Sequence, residues 1–157
     1  MAGDRIRVLF VCTGNICRST MAEEVGRFWA AQAGAPMDFD SVGVSDEERG
    51  NSIDRRAASV LADHGYPTGN HRARQVTAAD IEAADFVIAA EVHHVRRLKR
   101  LAPQASHIHL ISDFDPDSTQ GSGLPDPWYG GMSDFQETLT AIEAAMPNII
   151  GLARLAP

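Results

Sequence analysis

The segment Cys12-Thr13-Gly14-Asn15-Ile16-Cys17-Arg18-Ser19-Thr20 lies between an apolar run, Ile6 to Val11, and a stretch of helical spacing. A chain that turns from strand to helix through so short a loop leaves many backbone N–H groups without chain partners. The helix N-terminus adds free N–H groups and a partial positive charge of its own. Such a loop is an oxyanion site before any side chain is counted. It also commits the chain to a strand–loop–helix unit at the carboxyl end of a strand, where open α/β sheets place their ligands.

The side chains agree with the backbone. Gly14 and Asn15 tolerate the positive φ that inward-facing N–H groups require. A thiol at the centre of the loop, Cys12, sits in a field that favours its thiolate. Arg18 offers a planar fork that holds two oxygens of a tetrahedral anion, and Ser19 can hydrogen-bond a thiolate. Nucleophile, phosphate cradle and charge clamp therefore fall within one loop. The bland alternative is a buried structural cysteine beside a surface arginine.

The rest of the chain alternates strands and helices. Strand patterns cover Ile6 to Val11, Met37 to Val44, Asp85 to Ala90 and His107 to Ile111. Helical patterns cover Ser19 to Ala33, Asp54 to His64, Val92 to Leu101 and Ser133 to Leu155, with Asp54 as an N-cap and Pro147 as a candidate break. Ser45 to Ile53 reads as an acidic loop, and Ser112 to Gly131 as a long loop rich in Asp, Pro and Gly. No repeat or linker interrupts the pattern, so residues 1–157 read as one domain with a parallel sheet covered on both faces.

A net charge of −7 argues against nonspecific binding to nucleic acid or an anionic membrane. No apolar run reaches membrane-spanning length, and Asp4, Arg5 and Arg7 break any signal-peptide pattern. The expected compartment is the cytoplasm. The two cysteines, Cys12 and Cys17, share the loop, which leaves no disulfide framework and no four-cysteine zinc site. His93 and His94, on a basic helix with Arg96, Arg97, Lys99 and Arg100, read as a solvated face, and His107 and His109 as ordinary sheet positions. With no clustered ligand motif, neither metal nor other cofactor is expected.

Phosphoryl transfer to a thiolate needs a proton donor for the leaving oxygen. Asp113, Asp115, Asp117 and Asp126 in the long loop are candidates. Asp126 stands in Asp126-Pro127-Trp128-Tyr129-Gly130-Gly131, where Trp128 and Tyr129 can flank a planar leaving group. Chemistry alone favours it only modestly over an Asp-Pro turn of the kind seen at Asp115-Pro116.

The loop from Cys12 to Ser19, with Met21-Ala22-Glu23, closely resembles the low-molecular-weight protein tyrosine phosphatase family. Ser45-Asp46, Gly50, Asp54-Arg55-Arg56-Ala57, His64-Gly65-Tyr66, His71-Arg72-Ala73-Arg74-Gln75 and Asp126-Pro127-Trp128-Tyr129-Gly130 extend the likeness along nearly the whole chain. The resemblance implies a three-layer α/β/α sandwich, flavodoxin-like, on a four-stranded parallel sheet. It implies a phosphotyrosine-containing protein as substrate, with inorganic phosphate or other oxyanions as further ligands. It makes Cys12 the nucleophile, Arg18 the phosphoryl clamp and Asp126 the general acid. Thr13, Gly14, Asn15, Ile16, Cys17 and Ser19 would complete the phosphate and substrate contacts with Trp128 and Tyr129. Asn15, Ser19 and His71 would also shape the loop, and Cys17 would pair with Cys12 under oxidation.

Three positions depart from the family pattern. Thr20 replaces a proline, Glu47 an aromatic that walls the cleft, and Glu91 an aspartate after the third strand. With Asp46 and Glu48, Glu47 makes an acidic rim. Related arginine phosphatases resemble this loop but carry threonine at the position of Ile16, and an apolar Ile16 suits an aromatic ring better. Arsenate reductases of this fold relay a disulfide through further cysteines, which this chain lacks. A binding module without turnover would have no use for the acid.

Overall fold

The computed structural model describes residues 4–157. Four strands form one parallel sheet in the order β2-β1-β3-β4, with β1 Ile6–Cys12, β2 Met37–Gly43, β3 Phe86–Ala89 and β4 Ile108–Leu110. Helices α1 Arg18–Ala33, α2 Arg55–Asp63, α3 Ala78–Ala83, α4 Val92–Leu101 and α5 Met132–Ile150 cover it.

Alternation along β1 sorts the helices into two layers. Ile6, Val8, Phe10 and Cys12 face one side, with Met21 and Val25 of α1, Leu61 of α2, and Phe135, Leu139 and Ile142 of α5. Leu9 and Val11 face the other, with Ile81 of α3 and Leu98 of α4. Phe10 stacks on Phe39 of β2 with ring centroids 5.9 Å apart. Removing such a side chain from water contributes roughly 1.5–3 kcal/mol. The three-layer sandwich expected from the sequence is therefore the one observed.

β1 pairs with β2 on one side, from Ile6 opposite Met37 to Cys12 opposite Gly43, and with β3 on the other. The chain thus reverses direction across the sheet at β1, which creates a crevice beyond its carboxyl end. Cys12 is the last residue of β1, one position later than the apolar run suggested, and α1 begins at Arg18.

Three features differ from expectation. The six-residue helix α3 escaped the sequence pattern; it is held by a capping box between Thr77 and Asp80 and buries only Ile81. The long loop opens with a 3-10 turn, Ile111–Phe114. The final helix ends at Ile150 and continues as a 3-10 segment, Gly151–Leu155, while Pro147 lies within α5 without ending it. Buried Ile142, Met146 and Ile149 hold that helix to the core on both sides of the proline. Among the described residues no helix is long and apolar enough to cross a membrane.

Candidate active site

The loop from Cys12 to Arg18 closes the crevice floor. Asn15 adopts φ 62°, the left-handed conformation its residue type permits. Gly43, beside the loop at the end of β2, makes room for it: a Cβ there would lie 2.6 Å from Thr13 O. Cys17 occupies the N-cap of α1 without a side-chain cap hydrogen bond, so no cap side chain occupies the first-turn N–H groups.

Cys12 is 2 % exposed, and its Sγ lies 3.0 Å from Ser19 Oγ. Asn15 Nδ2 donates to Ser19 Oγ and to Ser41 Oγ, both at 2.9 Å. Ser41 Oγ donates in turn to Glu23 Oε1 at 2.5 Å. Asn15 Oδ1 accepts from the Arg74 N–H at 3.1 Å, and His71 Nε2 meets Asn15 O. Since Ser19 Oγ already accepts from Asn15, its own hydrogen is free to donate to a Cys12 thiolate. Burial raises the Glu23 carboxyl above its ordinary value, while Ser41 and Arg27 work against that shift.

Arg18 is 2 % exposed. Its Nη1 donates to Glu91 Oε2 at 2.6 Å and to Leu124 O at 2.8 Å, and its Nη2 lies 3.7 Å from Asp126 Oδ2. One arm is anchored by Glu91 and Leu124, while the other lies toward Asp126, which lines the same cleft. Burial works to raise Glu91, but the Arg18 hydrogen bond and charge outweigh it and hold the carboxyl below its ordinary value. Asp126 is exposed, and its Oδ1 accepts the Trp128 N–H at 3.0 Å.

Together these residues open onto a cleft of about 360 Å³. Cys12, Thr13, Gly14, Ile16, Cys17 and Arg18 of the loop line it, and so do Asp126, Trp128 and Tyr129 from the segment before α5 and Glu47 and Glu48 from the loop after β2. Asn15, within the loop, and Ser19 and His71, which hydrogen-bond to it, do not line the cleft. Asp46 does not line it. Both cysteines are free thiols. Burial, joined by the carboxylates of Asp54 and Asp126, pushes the Cys17 thiol well above its ordinary value, so Cys17 stays protonated.

The basic helix requires a correction. His94 is not solvated: it is wholly buried and meets Thr13 Oγ1 through Nε2 at 2.8 Å. Its Nδ1 accepts the Glu91 N–H at 3.1 Å, so Nε2 carries the hydrogen and donates to Thr13. Burial, then the Arg18 charge, lowers its pKa to about 3. His93 is exposed, with Nε2 3.1 Å from Glu91 Oε2. Glu91, His93 and His94 do form a group whose ligand atoms lie within 4.8 Å of one another, contrary to the expectation of no such cluster. Both His94 nitrogens are engaged, however, and Glu91 is committed to Arg18. The cluster is thus built around the arginine.

The family model described as "Low molecular weight phosphotyrosine protein phosphatase" matches residues 7–156. The "Low molecular weight protein-tyrosine-phosphatase" of Streptomyces coelicolor is 42 % identical over 154 residues, 94 % of this chain and 93 % of that protein. Among solved structures, a protein tyrosine phosphatase from Entamoeba histolytica, with Hepes in its active site, superposes with a TM-score of 0.89. It is 28 % identical and covers 96 % of this chain and 97 % of that one. The arginine phosphatase YwlE superposes with a TM-score of 0.85 over 95 % of this chain and 96 % of its own, but at 22 % identity the likeness is one of fold alone.

Proposed function

Since the chain belongs to the low molecular weight phosphotyrosine protein phosphatase family, we propose that Cys12, Arg18 and Asp126 carry its hydrolysis of phosphotyrosine. The protein is a protein tyrosine phosphatase, a hydrolase of phosphoric monoesters. In the first step the Cys12 thiolate attacks phosphorus in line, and the bond to the tyrosine oxygen breaks. Arg18 and the loop N–H groups hold the equatorial oxygens. Asp126 gives its proton to the departing phenolate, and a cysteinyl-phosphate remains. In the second step Asp126 takes a proton from water, which attacks the same phosphorus and frees inorganic phosphate and the Cys12 thiolate. Ser19 stabilises that thiolate at both ends of the cycle.

The observation that carries this reading is the convergence on one floor. Cys12 Sγ has a hydroxyl donor at 3.0 Å, and the unanchored arm of Arg18 points to within 3.7 Å of Asp126. Ile16, Trp128 and Tyr129 supply apolar surface for the tyrosine ring. No step calls for a metal or other cofactor. The thiolate chemistry suits a reducing compartment, the cytoplasm, because an oxidised Cys12 is not a nucleophile. The net charge of −7 favours a phosphoprotein over a nucleic acid as partner.

The test is turnover of para-nitrophenyl phosphate with and without chelator, followed by acid quench to trap the cysteinyl-phosphate. Parent enzyme should turn over equally in both buffers and yield the trapped species. Cys12→Ser should do neither while still binding vanadate. Loss of activity in chelator, or turnover by the Cys12→Ser variant, would overturn the assignment.

A further inference from the structure

The first turn of α2 touches both halves of the chemistry. At one end the Asp54 N–H donates to Ile16 O, inside the nucleophile loop, at 2.9 Å. At the other, Arg56 Nη1 donates to Trp128 O at 2.9 Å and to Gly130 O at 3.3 Å. Both carbonyls belong to the segment that carries Asp126. The Asp54 carboxylate grips the same guanidinium at Nε and Nη2, at 3.2 and 3.1 Å, while it caps the helix by accepting from the Arg56 and Ala57 N–H groups. The guanidinium carbon lies 4.5 Å from the Phe135 ring centroid and 5.1 Å from that of Trp128. An arginine fork and two rings thus clamp one short stretch of loop.

That stretch has few other ties. Within it Asp126 accepts from the Trp128 N–H, and the Gly130 N–H donates to Pro127 O. At its end Gly131, the N-cap of α5, is tied to the first turn of that helix by its N–H to Asp134 Oδ2 at 2.8 Å and by its carbonyl to the Asp134 and Phe135 N–H groups. Among the described residues, the hydrogen bonds joining 126–130 to another element are those from Arg56. The remaining polar link of 126–130 to another element, among the described residues, is the ion pair of Asp126 with Arg18. A bound phosphoryl group takes over Arg18, so that link is lost when the acid must be in place. The Arg56 contacts lie outside the phosphate site and persist.

We propose that Arg56 is a positioning residue for the general acid. Through Asp54 it fixes the 126–131 segment to the nucleophile loop and so sets the reach of the Asp126 carboxyl to the leaving oxygen. Proton transfer needs that reach within a hydrogen bond, and a misplacement of about 1 Å costs on the order of a hundredfold. The proposal rests on the reading of Asp126 as the acid.

The test measures kcat/KM for aryl phosphates spanning a range of leaving-group pKa, because kcat/KM reports the step in which the aryl oxygen departs. Parent enzyme, Arg56→Ala, Arg56→Lys and Asp126→Asn are compared, with Arg55→Ala as a control on the exposed face of the same turn. Arg56→Ala should steepen the fall of log kcat/KM with leaving-group pKa. It should lose about tenfold on poor leaving groups, less than complete removal of a general acid costs, and little on good ones. The inhibition constant of vanadate should stay at the parent value, since the phosphate loop is untouched. Arg56→Lys, which keeps the charge but not the fork, should fall between, and Arg55→Ala should match the parent.

A parental slope in Arg56→Ala overturns the proposal, as does an equal loss on every substrate with weakened vanadate binding, which marks plain structural damage. Should Arg56→Ala fail to fold, the slope of Arg56→Lys decides, and a parental value there is equally fatal. An unchanged slope in Asp126→Asn would refute the reading of the acid itself. A steepened slope in Asp126→Asn with a parental one in Arg56→Ala would refute the role of Arg56 alone.

Discussion

His94 Nε2 donates to Thr13 Oγ1 at 2.8 Å, and this contact joins the start of α4 to the residue that follows Cys12. The imidazole is wholly buried, with its Nδ1 taken by the Glu91 N–H. Its neutral form is therefore part of the folded state. In the unfolded chain the ring takes a proton near its ordinary value of 6.5, and in the folded chain only near a value of about 3. Between those values the unfolded state holds more protons, so this group's contribution to stability falls as pH drops through that window. Urea denaturation of the parent and of His94→Gln from pH 7 to pH 4 checks this. The parent should lose stability faster than the variant as the solution is acidified. Parallel curves would show that the buried imidazole is not what titrates.

Arg18→Lys should be nearly as damaging as Arg18→Ala. Glu91 and Leu124 O hold one arm of the guanidinium while the other faces the crevice, a division of labour that a single ammonium cannot reproduce. A lysine would be drawn to Glu91 and leave the phosphoryl oxygens with one donor set fewer. Measured kcat/KM values for the two variants should agree within a few-fold. If lysine keeps most of the activity, charge rather than fork geometry is what the site uses.

Thr20 is completely buried, and its hydroxyl has no hydrogen-bond partner among the described residues. An unsatisfied buried hydroxyl is destabilising by about 1–3 kcal/mol, and valine has nearly the same shape without it. Thr20→Val should raise the urea midpoint, by about 1 kcal/mol of stability, and leave kcat/KM unchanged. A lowered midpoint would mean that the hydroxyl is satisfied in solution.

The loop proposed to carry the nucleophile is legible as a strand-to-helix turn because its parts are contiguous: cysteine, turn residues, arginine and serine occupy one stretch between β1 and α1. Asp126 was less so. Chemistry alone left it among Asp113, Asp115 and Asp117, and only the family resemblance singled it out. Glu91 and His94 were not legible as site residues, because their partners Arg18 and Thr13 lie 73 and 81 positions away in the chain. A basic, amphipathic helix gives no sign that one of its histidines turns inward beneath a remote loop. Arg56 is a similar case: Asp54-Arg55-Arg56 reads as a helix cap, and nothing local shows that the arginine reaches Trp128 O. The short α3 did leave a signal, Thr77 followed by Asp80, but with only Ile81 buried it lacked the apolar periodicity that marks the longer helices.

The acidic rim should bias substrate choice. Glu47 and Glu48 line the cleft together with Trp128 and Tyr129, whereas Asp46 does not. Glu48 is tied down locally: its Oε2 accepts from Asn51 Nδ2 at 2.7 Å and its Cγ packs over Gly14. Glu47 is exposed, and exposed charges act weakly and are screened by salt. A several-fold preference is therefore the expected scale. Phosphotyrosine peptides with Lys or Arg beside the tyrosine should have higher kcat/KM than acidic ones at low ionic strength, and the gap should narrow as salt is added. Glu47→Trp should shrink the preference and tighten binding of bare aryl phosphates, by replacing a charge with a flat apolar wall. Comparing one basic and one acidic peptide at two ionic strengths, in parent and variant, decides the matter. Identical ratios in all cases would mean that the substrate leaves the cleft without meeting this rim.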